Sequence, residues 1–132
     1  MSLVSYVAAV KTIRSMESVG YGRAWRASRG TRVAAVPIGY GDGYSRALSN
    51  RAEVLIGGRR RPVVGTISMD QLTVDLGPDA TDRVGDEVVL IGRQGHERIT
   101  AEELARLRGT INYEVTTALG IARVRRVHED RP

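Results

Sequence analysis

Short runs of apolar residues, continuous or alternating with polar ones, fill most of this 132-residue chain between turns rich in glycine. Such runs favour β-strands, whose successive side chains point to opposite faces of a sheet. The pattern predicts about eight strands, at residues 4–13, 32–38, 53–56, 61–64, 66–69, 72–76, 88–91 and 121–127, with a possible further short strand at 24–27. Gly57-Gly58 is typical of a tight hairpin turn, and Pro37 confines its strand to an edge or a strand end.

The spacing of apolar residues changes to that of a helix only near the C-terminal end. Thr100 and Glu103 form a capping box, in which the Thr100 hydroxyl accepts from the Glu103 amide and the Glu103 carboxylate reaches back. Leu104 and Leu107 give this helix an apolar face, and a second short helix is predicted at 112–119. The sequence therefore predicts a mainly β fold, a closed or partly open barrel of about eight strands with two short helices near its C-terminal end.

Length and composition narrow the possible classes of protein. A globular chain of this length forms one domain, here residues 1–132. Hydrophobic residues make up 42% of it, phenylalanine is absent and Trp25 is the only tryptophan, so the core must be aliphatic. The absence of cysteine excludes disulfide bonds and thiolate metal sites. We expect a cytoplasmic protein, which fits the lack of cysteine, and no membrane span, because no run approaches the roughly 18 apolar residues that a span requires.

The net charge of +5 raises the question of a nucleic-acid partner. The arginines are spread along the chain, and the densest run, at 59–61, lies at a predicted turn. Surfaces that track nucleic acid usually combine clustered charge with stacking aromatic residues. We therefore expect no nucleic-acid partner.

Few side chains of this chain can perform chemistry alone. Lys11, the only lysine, lies on a predicted strand with no glycine-rich phosphate site after it, so we expect it to be structural. His96 and His128 are far apart, without cysteines or carboxylates at the spacing of a zinc site, and we expect both at the surface. No Ser-His-Asp or Cys-His arrangement is visible. The sequence thus predicts no metal site and only part of an active site.

Four clusters of glycine, tyrosine and small polar residues interrupt the predicted strands, at 20–22, 39–44, 68–71 and 112–115. Ligand sites often combine such residues, yet each cluster alone also has a structural interpretation. The Tyr21 ring could pack over a glycine turn, Asp42 could bind backbone amides within a compact loop, and residues 68–71 could be a polar strand end. Tyr113, at a predicted helix start, could add a hydrogen bond to a phosphate held there.

The order of these clusters along the chain carries more information than any one of them. The matching motifs are Ala9-Val10-Lys11, Val19-Gly20-Tyr21-Gly22, VPIGYGDGYSR at 36–46, Pro62-Val63-Val64-Gly65, Ser68-Met69-Asp70-Gln71, VVLIG at 88–92 and TINYEV at 110–115. In this order they resemble the C-terminal domain of alanine racemase, a pyridoxal-phosphate enzyme, from about residue 4 to residue 127. Each motif is weak singly, but the collinear set is highly specific.

The resemblance implies an active site shared between two domains and two subunits. Enzymes of the family are head-to-tail homodimers, in which an N-terminal (β/α)8 barrel carries the lysine that binds pyridoxal 5'-phosphate covalently. The mostly β C-terminal domain reaches over the cofactor of the partner subunit. By this resemblance, Tyr21 is the catalytic acid/base on the L-alanine side of the substrate, opposite the lysine, and Tyr113 bonds the cofactor phosphate.

Four further residues acquire roles from the same resemblance, and a fifth departs from the pattern. The Met69 backbone amide is expected to contact the substrate carboxylate, with Asp70 beside it helping to hold the site. Tyr40 is expected to line the narrow access to the site, and Arg46 to lie further out along this corridor. Thr66 stands where some relatives carry an arginine, which alters the expected charge of the corridor and not the chemistry.

The barrel domain and its lysine have no counterpart in this sequence. We therefore expect an isolated domain, inactive by itself, of an enzyme that interconverts L- and D-alanine for peptidoglycan precursors. Two alternatives remain open. One is a non-catalytic β-barrel module that binds another protein through the loop at 40–44, and the other is a racemase of related specificity (serine, broad-spectrum or lysine).

Overall fold

The computed structural model describes residues 1–19, 25–109 and 119 of the chain. Within them lie ten β-strands, one α-helix and two short 3-10 helices, so the predicted mainly β class is confirmed. The strands are β1 (Leu3–Tyr6), β2 (Ala9–Ile13), β3 (Ser18–Val19), β4 (Trp25–Arg26), β5 (Thr31–Val36), β6 (Glu53–Ile56), β7 (Arg59–Val64), β8 (Leu72–Gly77), β9 (Glu87–Gln94) and β10 (Glu97–Ile99). The helices are the 3-10 turns Tyr40–Asp42 and Arg46–Leu48 and the α-helix α1 (Ala101–Arg108).

Eight of these strands form one sheet in the order β1-β9-β6-β7-β8-β5-β2, with β10 paired to β9, while β3 and β4 form a separate ribbon. β1 and β2 lie at opposite ends of this order, although only Val7 and Ala8 separate them in the chain. Because three peptide links span at most roughly 11 Å, the sheet has to curl until its ends meet. No ladder joins β1 to β2 among the described strands, so the predicted barrel is partly open.

The prediction of one continuous strand over residues 4–13 is wrong, because this segment changes partners halfway. Leu3–Tyr6 pairs with β9, whereas Ala9–Ile13 pairs with β5. At the change, the Val7 amide donates to the Asp86 carbonyl over 2.9 Å, and the Ala8 amide donates to the Ala35 carbonyl over 2.9 Å. The Val7 side chain is fully buried at this corner.

An aliphatic core fills the barrel, as the composition predicts. Its fully buried side chains include Val7, Val36, Val54, Leu55, Ile56, Ile67, Leu72, Val74, Leu76 and Leu90. Trp25 lies outside this core and packs, partly buried, against a smaller cluster of Ile13, Ala27 and Val33. Since burial of each large aliphatic side chain contributes roughly 1.5–3 kcal/mol, the interior of the barrel is the main source of stability.

The helix α1 begins as predicted and then departs from its predicted capping box. The Thr100 hydroxyl accepts from the Glu103 amide over 3.1 Å, and Leu104 is buried with Leu107 packed beside the core. The Glu103 carboxylate turns instead to Arg60 of β7, in two bonds of 2.8 and 2.9 Å. Such a bidentate, charge-assisted pair is stronger than a bond to a neutral amide.

Among the described residues, no helix combines the length and the apolar composition that a membrane span requires.

Several connections test the remaining strand predictions. The Gly57-Gly58 hairpin is confirmed, with both glycines at positive φ, and Pro37 follows directly after β5. The strand predicted at 66–69 is wrong, because the backbone there bonds to the connection between β5 and β6 rather than to a strand. The helix predicted at 112–119 and the strand predicted at 121–127 lie outside the described residues, Leu119 excepted.

Tyr44, in the connection between β5 and β6, is a tyrosine with an unusual environment. Only 2% of its surface is exposed, and its hydroxyl has no hydrogen-bond partner among the described residues. Burial raises the pKa of Tyr44 far above its ordinary value, and the Glu103 carboxylate raises it further. An unfolded tyrosine ionises near pH 10. The contribution of Tyr44 to stability is therefore complete below about pH 10 and is lost progressively at higher pH.

The substitution Tyr44→Phe should remove this alkaline loss and leave the core intact. At pH 7 we expect an unfolding free energy equal to that of the wild type or higher by roughly 1 kcal/mol, because a buried hydroxyl without a partner is removed. Between pH 8 and pH 11 the wild type should lose about 1.4 kcal/mol more than the variant. Urea unfolding at both pH values measures this, with Tyr6→Phe, at an exposed tyrosine, as control. Equal pH dependence of wild type and Tyr44→Phe would contradict it.

Candidate functional site

The pairing of β5 with β8 decides where two long connections meet. Val36 at the end of β5 pairs with Leu72 at the start of β8. The chain leaving β5 and the chain entering β8 therefore lie at the same end of the barrel. There the connections at 37–52 and 65–71 border an open depression of about 420 Å³, lined by Tyr40, Arg46, Thr66, Ile67, Ser68, Met69 and Asp70.

The structure brings together four of the six residues for which the sequence predicts a role. Tyr40 and Arg46 lie on the first connection, and Met69 and Asp70 lie on the second, all around the same depression. Tyr21 lies outside the described residues. Tyr113 does too, so the position of both phenols relative to this depression stays a prediction.

The connections at 37–52 and 65–71 form the two walls of the depression. Backbone contacts join these walls near Tyr40. The Tyr40 amide donates to the Ser68 carbonyl over 3.0 Å, and the Gly41 amide donates to the Met69 carbonyl over 2.8 Å. Gly39 packs so closely that a Cβ there would lie 2.2 Å from the Ser68 carbonyl oxygen. The buried Asp42 carboxylate accepts from the Gly39 amide over 3.0 Å. Asp42 thus has the structural role predicted for it, and that role serves to shape the depression.

Two short polar side chains of the first connection also bond to the backbone of the second. Ser49 Oγ accepts from the Ile67 amide over 2.8 Å, and Asn50 Oδ1 accepts from the Gly65 amide over 2.7 Å. Ser49 Oγ also donates to the Arg46 carbonyl over 2.6 Å. Asn50 adopts a left-handed conformation with φ of 58°, which asparagine tolerates better than most residues.

The depression offers hydrogen-bond donors and one cation to a ligand. The Met69 amide donates to no acceptor among the described residues, and Arg46, which lines the same depression, is exposed. Ser68 Oγ lies 3.2 Å from Asp70 Oδ1 and accepts from the Gln71 amide over 3.1 Å. An amide donor and an exposed arginine suit a small anion such as a carboxylate. The described residues supply a binding wall and no complete catalytic set.

The other chemical candidates lie away from this depression. Lys11 is exposed on β2, and His96 is exposed in the turn between β9 and β10, as predicted. His128 lies outside the described residues. The described part of the chain contains no group of three side chains that could ligate a metal ion.

The residues whose side chains bond one connection to the other could not be identified from the sequence. Ser49 and Asn50 occur as a Ser-Asn step before β6, and such a step is typical of any turn. Only the fold shows that their side chains bond to Ile67 and Gly65. Gly39 and Gly41 belong to a motif that the sequence singled out, but their close approach to residues 68–70 is likewise visible only in three dimensions.

Comparison with known proteins gives one consistent answer. The family model described as "Alanine racemase, C-terminal domain" matches residues 1–128. The chain is 55% identical over 119 residues to an alanine racemase of Cutibacterium acnes, covering 90% of this chain and 32% of the relative. It is 54% identical over 113 residues to an alanine racemase of Symbiobacterium thermophilum, covering 86% of this chain and 30% of the relative. The chain thus spans about a third of the length of the curated relatives it matches.

Solved structures agree with the sequence comparison. A crystal structure of alanine racemase from a D-cycloserine-producing Streptomyces lavendulae matches 99% of this chain and 34% of that chain, at 40% identity and a TM-score of 0.91. Alanine racemase from Bacillus anthracis, crystallised with L-Ala-P, matches 90% of this chain and 30% of that chain, at 40% identity and a TM-score of 0.86. The fold is therefore that of the C-terminal part of these proteins.

The close contact of the two walls makes Gly39→Ala a direct test of the site geometry. Gly39 has an extended backbone, with φ of −152°, so alanine would fit its own backbone and clash only with the backbone of residues 68–70 on the facing connection. We expect a loss of roughly 1–3 kcal/mol in unfolding free energy, because the walls must separate. The matched control is Gly30→Ala, whose Cβ would meet its nearest atom at 3.6 Å. Urea unfolding compares the two, and equal stability would show that the walls are not in contact.

Proposed function

This chain belongs to the family of alanine racemase C-terminal domains, and on that premise we propose that it forms one wall of the active site of a pyridoxal-phosphate-dependent alanine racemase. The observation that carries the proposal is the convergence of Tyr40, Arg46, Met69 and Asp70 on one depression at one end of the barrel. These residues come from two connections far apart in sequence, and each has an implied role in handling the substrate. The substrates are then L- and D-alanine, and the reaction is their interconversion.

The proposed enzyme needs a second domain that this sequence does not contain. The chain covers about a third of its curated relatives. In family members the remaining part is a (β/α)8 barrel, and we propose the same arrangement for the parent protein, as a head-to-tail homodimer. The domain described here, residues 1–132, would reach over the cofactor of the partner subunit and would be inactive alone. We expect the enzyme to act in the cytoplasm, in the supply of D-alanine for peptidoglycan precursors.

The donor set of this chain fits a cofactor that another polypeptide segment holds. The depression contains no lysine, because Lys11 lies exposed on β2, so the covalent attachment has to come from the second domain. Tyr113 would contribute a hydrogen bond to the phosphate. When bound, pyridoxal phosphate supplies the electron sink that makes the Cα proton of an amino acid removable.

The chain's own residues then bind the substrate and move one proton. The Met69 amide would hold the alanine carboxylate, with Asp70 beside it, and Tyr40 and Arg46 would form the access corridor. Racemisation requires a proton to leave one face of Cα and another to arrive at the opposite face. Tyr21 would exchange the proton on the L side, and the lysine of the second domain would exchange it on the D side.

The isolated chain should show no racemase activity. Incubated with pyridoxal phosphate and L-alanine, it should form D-alanine no faster than the free cofactor does, because the lysine and most of the phosphate pocket belong to the second domain. Chiral chromatography of the product measures the rate. Turnover clearly above that of the free cofactor would show that this domain carries a complete site.

A domain replacement tests the assigned function and the role of Tyr21 together. The C-terminal third of the Cutibacterium acnes alanine racemase is replaced by residues 1–128 of this chain, and the chimera should racemise alanine. Tyr21→Phe in the chimera should lower kcat roughly 10²–10⁴-fold, the usual loss for a general acid or base. Because the two enantiomers have equal free energy in water, kcat/KM should fall equally in both directions.

The control for this substitution is Tyr6→Phe, at an exposed phenol on β1 outside the depression. It should leave both rates within about twofold of the unsubstituted chimera, since it removes the same hydroxyl from a position without an assigned role. Near-normal activity of Tyr21→Phe in both directions would remove Tyr21 from the mechanism. A folded, dimeric chimera without any racemase activity would refute the proposed function itself.

A further inference from the structure

We propose that Ser49 is a positioning residue for the substrate carboxylate, because its hydroxyl ties the two walls of the depression together and sets the place of the Met69 amide relative to Arg46. The inference rests on the proposed function, since it concerns the same site. Ser49 does not line the depression itself and would not touch the substrate. Its role follows from the two bonds that its hydroxyl makes.

A single hydroxyl reaches both walls. Ser49 Oγ donates its hydrogen to the Arg46 carbonyl over 2.6 Å and accepts the Ile67 amide over 2.8 Å. A serine hydroxyl has one donor and two acceptor positions, so both bonds form at the same time. Arg46 and Ile67 lie on opposite connections and both line the depression.

The bond to Ile67 is one of a set that fixes the backbone around the free Met69 amide. The Ile67 side chain is anchored in the core, with 1% of its surface exposed. The next amide, that of Ser68, donates to the Gln71 carbonyl over 2.9 Å, and the Met69 carbonyl accepts from the Gly41 amide over 2.8 Å. The polar groups on both sides of the Met69 amide are thus held, so that this donor has a defined position for a ligand.

The bond to Arg46 fixes the opposite wall. The Arg46 carbonyl accepts from both the amide and the hydroxyl of Ser49, over 3.0 and 2.6 Å. These two bonds close the 3-10 turn Arg46–Leu48 and hold the arginine backbone while its side chain stays exposed. Loss of the Ser49 hydroxyl would release one bond on each wall.

The expected kinetic consequence follows from the group that is positioned. The carboxylate is common to L- and D-alanine and does not react, so a contact with it contributes equally to the bound substrate and to the transition state. Removal of such uniform binding raises KM and leaves kcat nearly unchanged. Ser49→Ala should therefore differ in kind from Tyr21→Phe, which lowers kcat.

The first measurement uses the chain itself and is independent of activity. Amide hydrogen exchange, followed by NMR, should be at least about tenfold faster at Ile67 in Ser49→Ala than in the wild type, because the amide loses its acceptor. Ser45→Ala is the matched control, since Ser45 caps the same 3-10 turn through the Ala47 amide and has no bond to residues 65–70 in the described structure. Ser49→Thr, which keeps the hydroxyl, should retain slow exchange.

The second measurement uses the full-length racemase that carries this chain. Ser49→Ala should raise KM for both enantiomers roughly three- to tenfold, the effect of one neutral hydrogen bond, with kcat within about twofold of the wild type. Ser45→Ala and Ser49→Thr should keep the wild-type KM. If Ser49→Ala does not fold, Ser49→Cys, which has nearly the same shape and a weaker hydrogen-bonding group, takes its place.

Each other outcome overturns the proposal in a recognisable way. Unchanged exchange at Ile67 would show that the bridge is absent, and faster exchange with unchanged KM would show that it does not position the substrate. An equal rise in KM for Ser45→Ala would assign the effect to the turn as a whole. A wild-type full-length protein without alanine racemase activity would refute the proposed function, and the role of Ser49 in it would fall as well.

Discussion

The pairing of one extended segment, residues 3–13, with strands at both ends of the sheet is the constraint on which the rest of this structure depends. The segment bonds to β9 through its first half and to β5 through its second half. Because Val7 and Ala8 alone separate the two halves, the sheet cannot remain open and flat. Its apolar faces close upon one another and bury the aliphatic side chains that stabilise the fold.

This closure also determines the position of the depression in which a ligand could bind. With β5 held between β2 and β8, the connections at 37–52 and 65–71 have to leave the barrel side by side. Their contacts are of two kinds, backbone bonds at Tyr40 and Gly41 and side-chain bonds from Ser49 and Asn50. Each bond is modest, about 0.5–1.5 kcal/mol, but together they hold the two connections against each other. A donor held in advance binds a ligand with less loss of conformational freedom than a mobile one.

Local signals predicted local structure well in this chain. Gly57-Gly58 specifies its hairpin because both positions need positive φ, and Thr100 specifies a helix start because its side chain reaches an amide three residues on. The aliphatic core followed from composition. The predicted site residues Tyr40, Arg46, Met69 and Asp70 do meet at one depression, and it was their motifs, taken in order, that pointed to a common site.

The predictions that failed concern competition between distant partners. The residue types at Val7 and Ala8 do not indicate that the chain changes its pairing partner there. Both halves of the segment are suited to β-structure, and the change depends on the positions of β9 and β5. Residues 66–69 have a strand-like pattern, yet their polar groups are taken by the preceding connection. In the same way, the Glu103 carboxylate was expected to accept from a backbone amide at the start of α1. It accepts instead from Arg60, which is far from Glu103 in sequence.

The bonds between the two walls have an evolutionary consequence. At Tyr40 and Met69 they use main-chain atoms, and the side chains of both residues are exposed. The exposed side chains around the depression can therefore be exchanged without disturbing the scaffold beneath them. A lineage that comes to bind a different ligand can then change by single replacements, each of which leaves a folded intermediate.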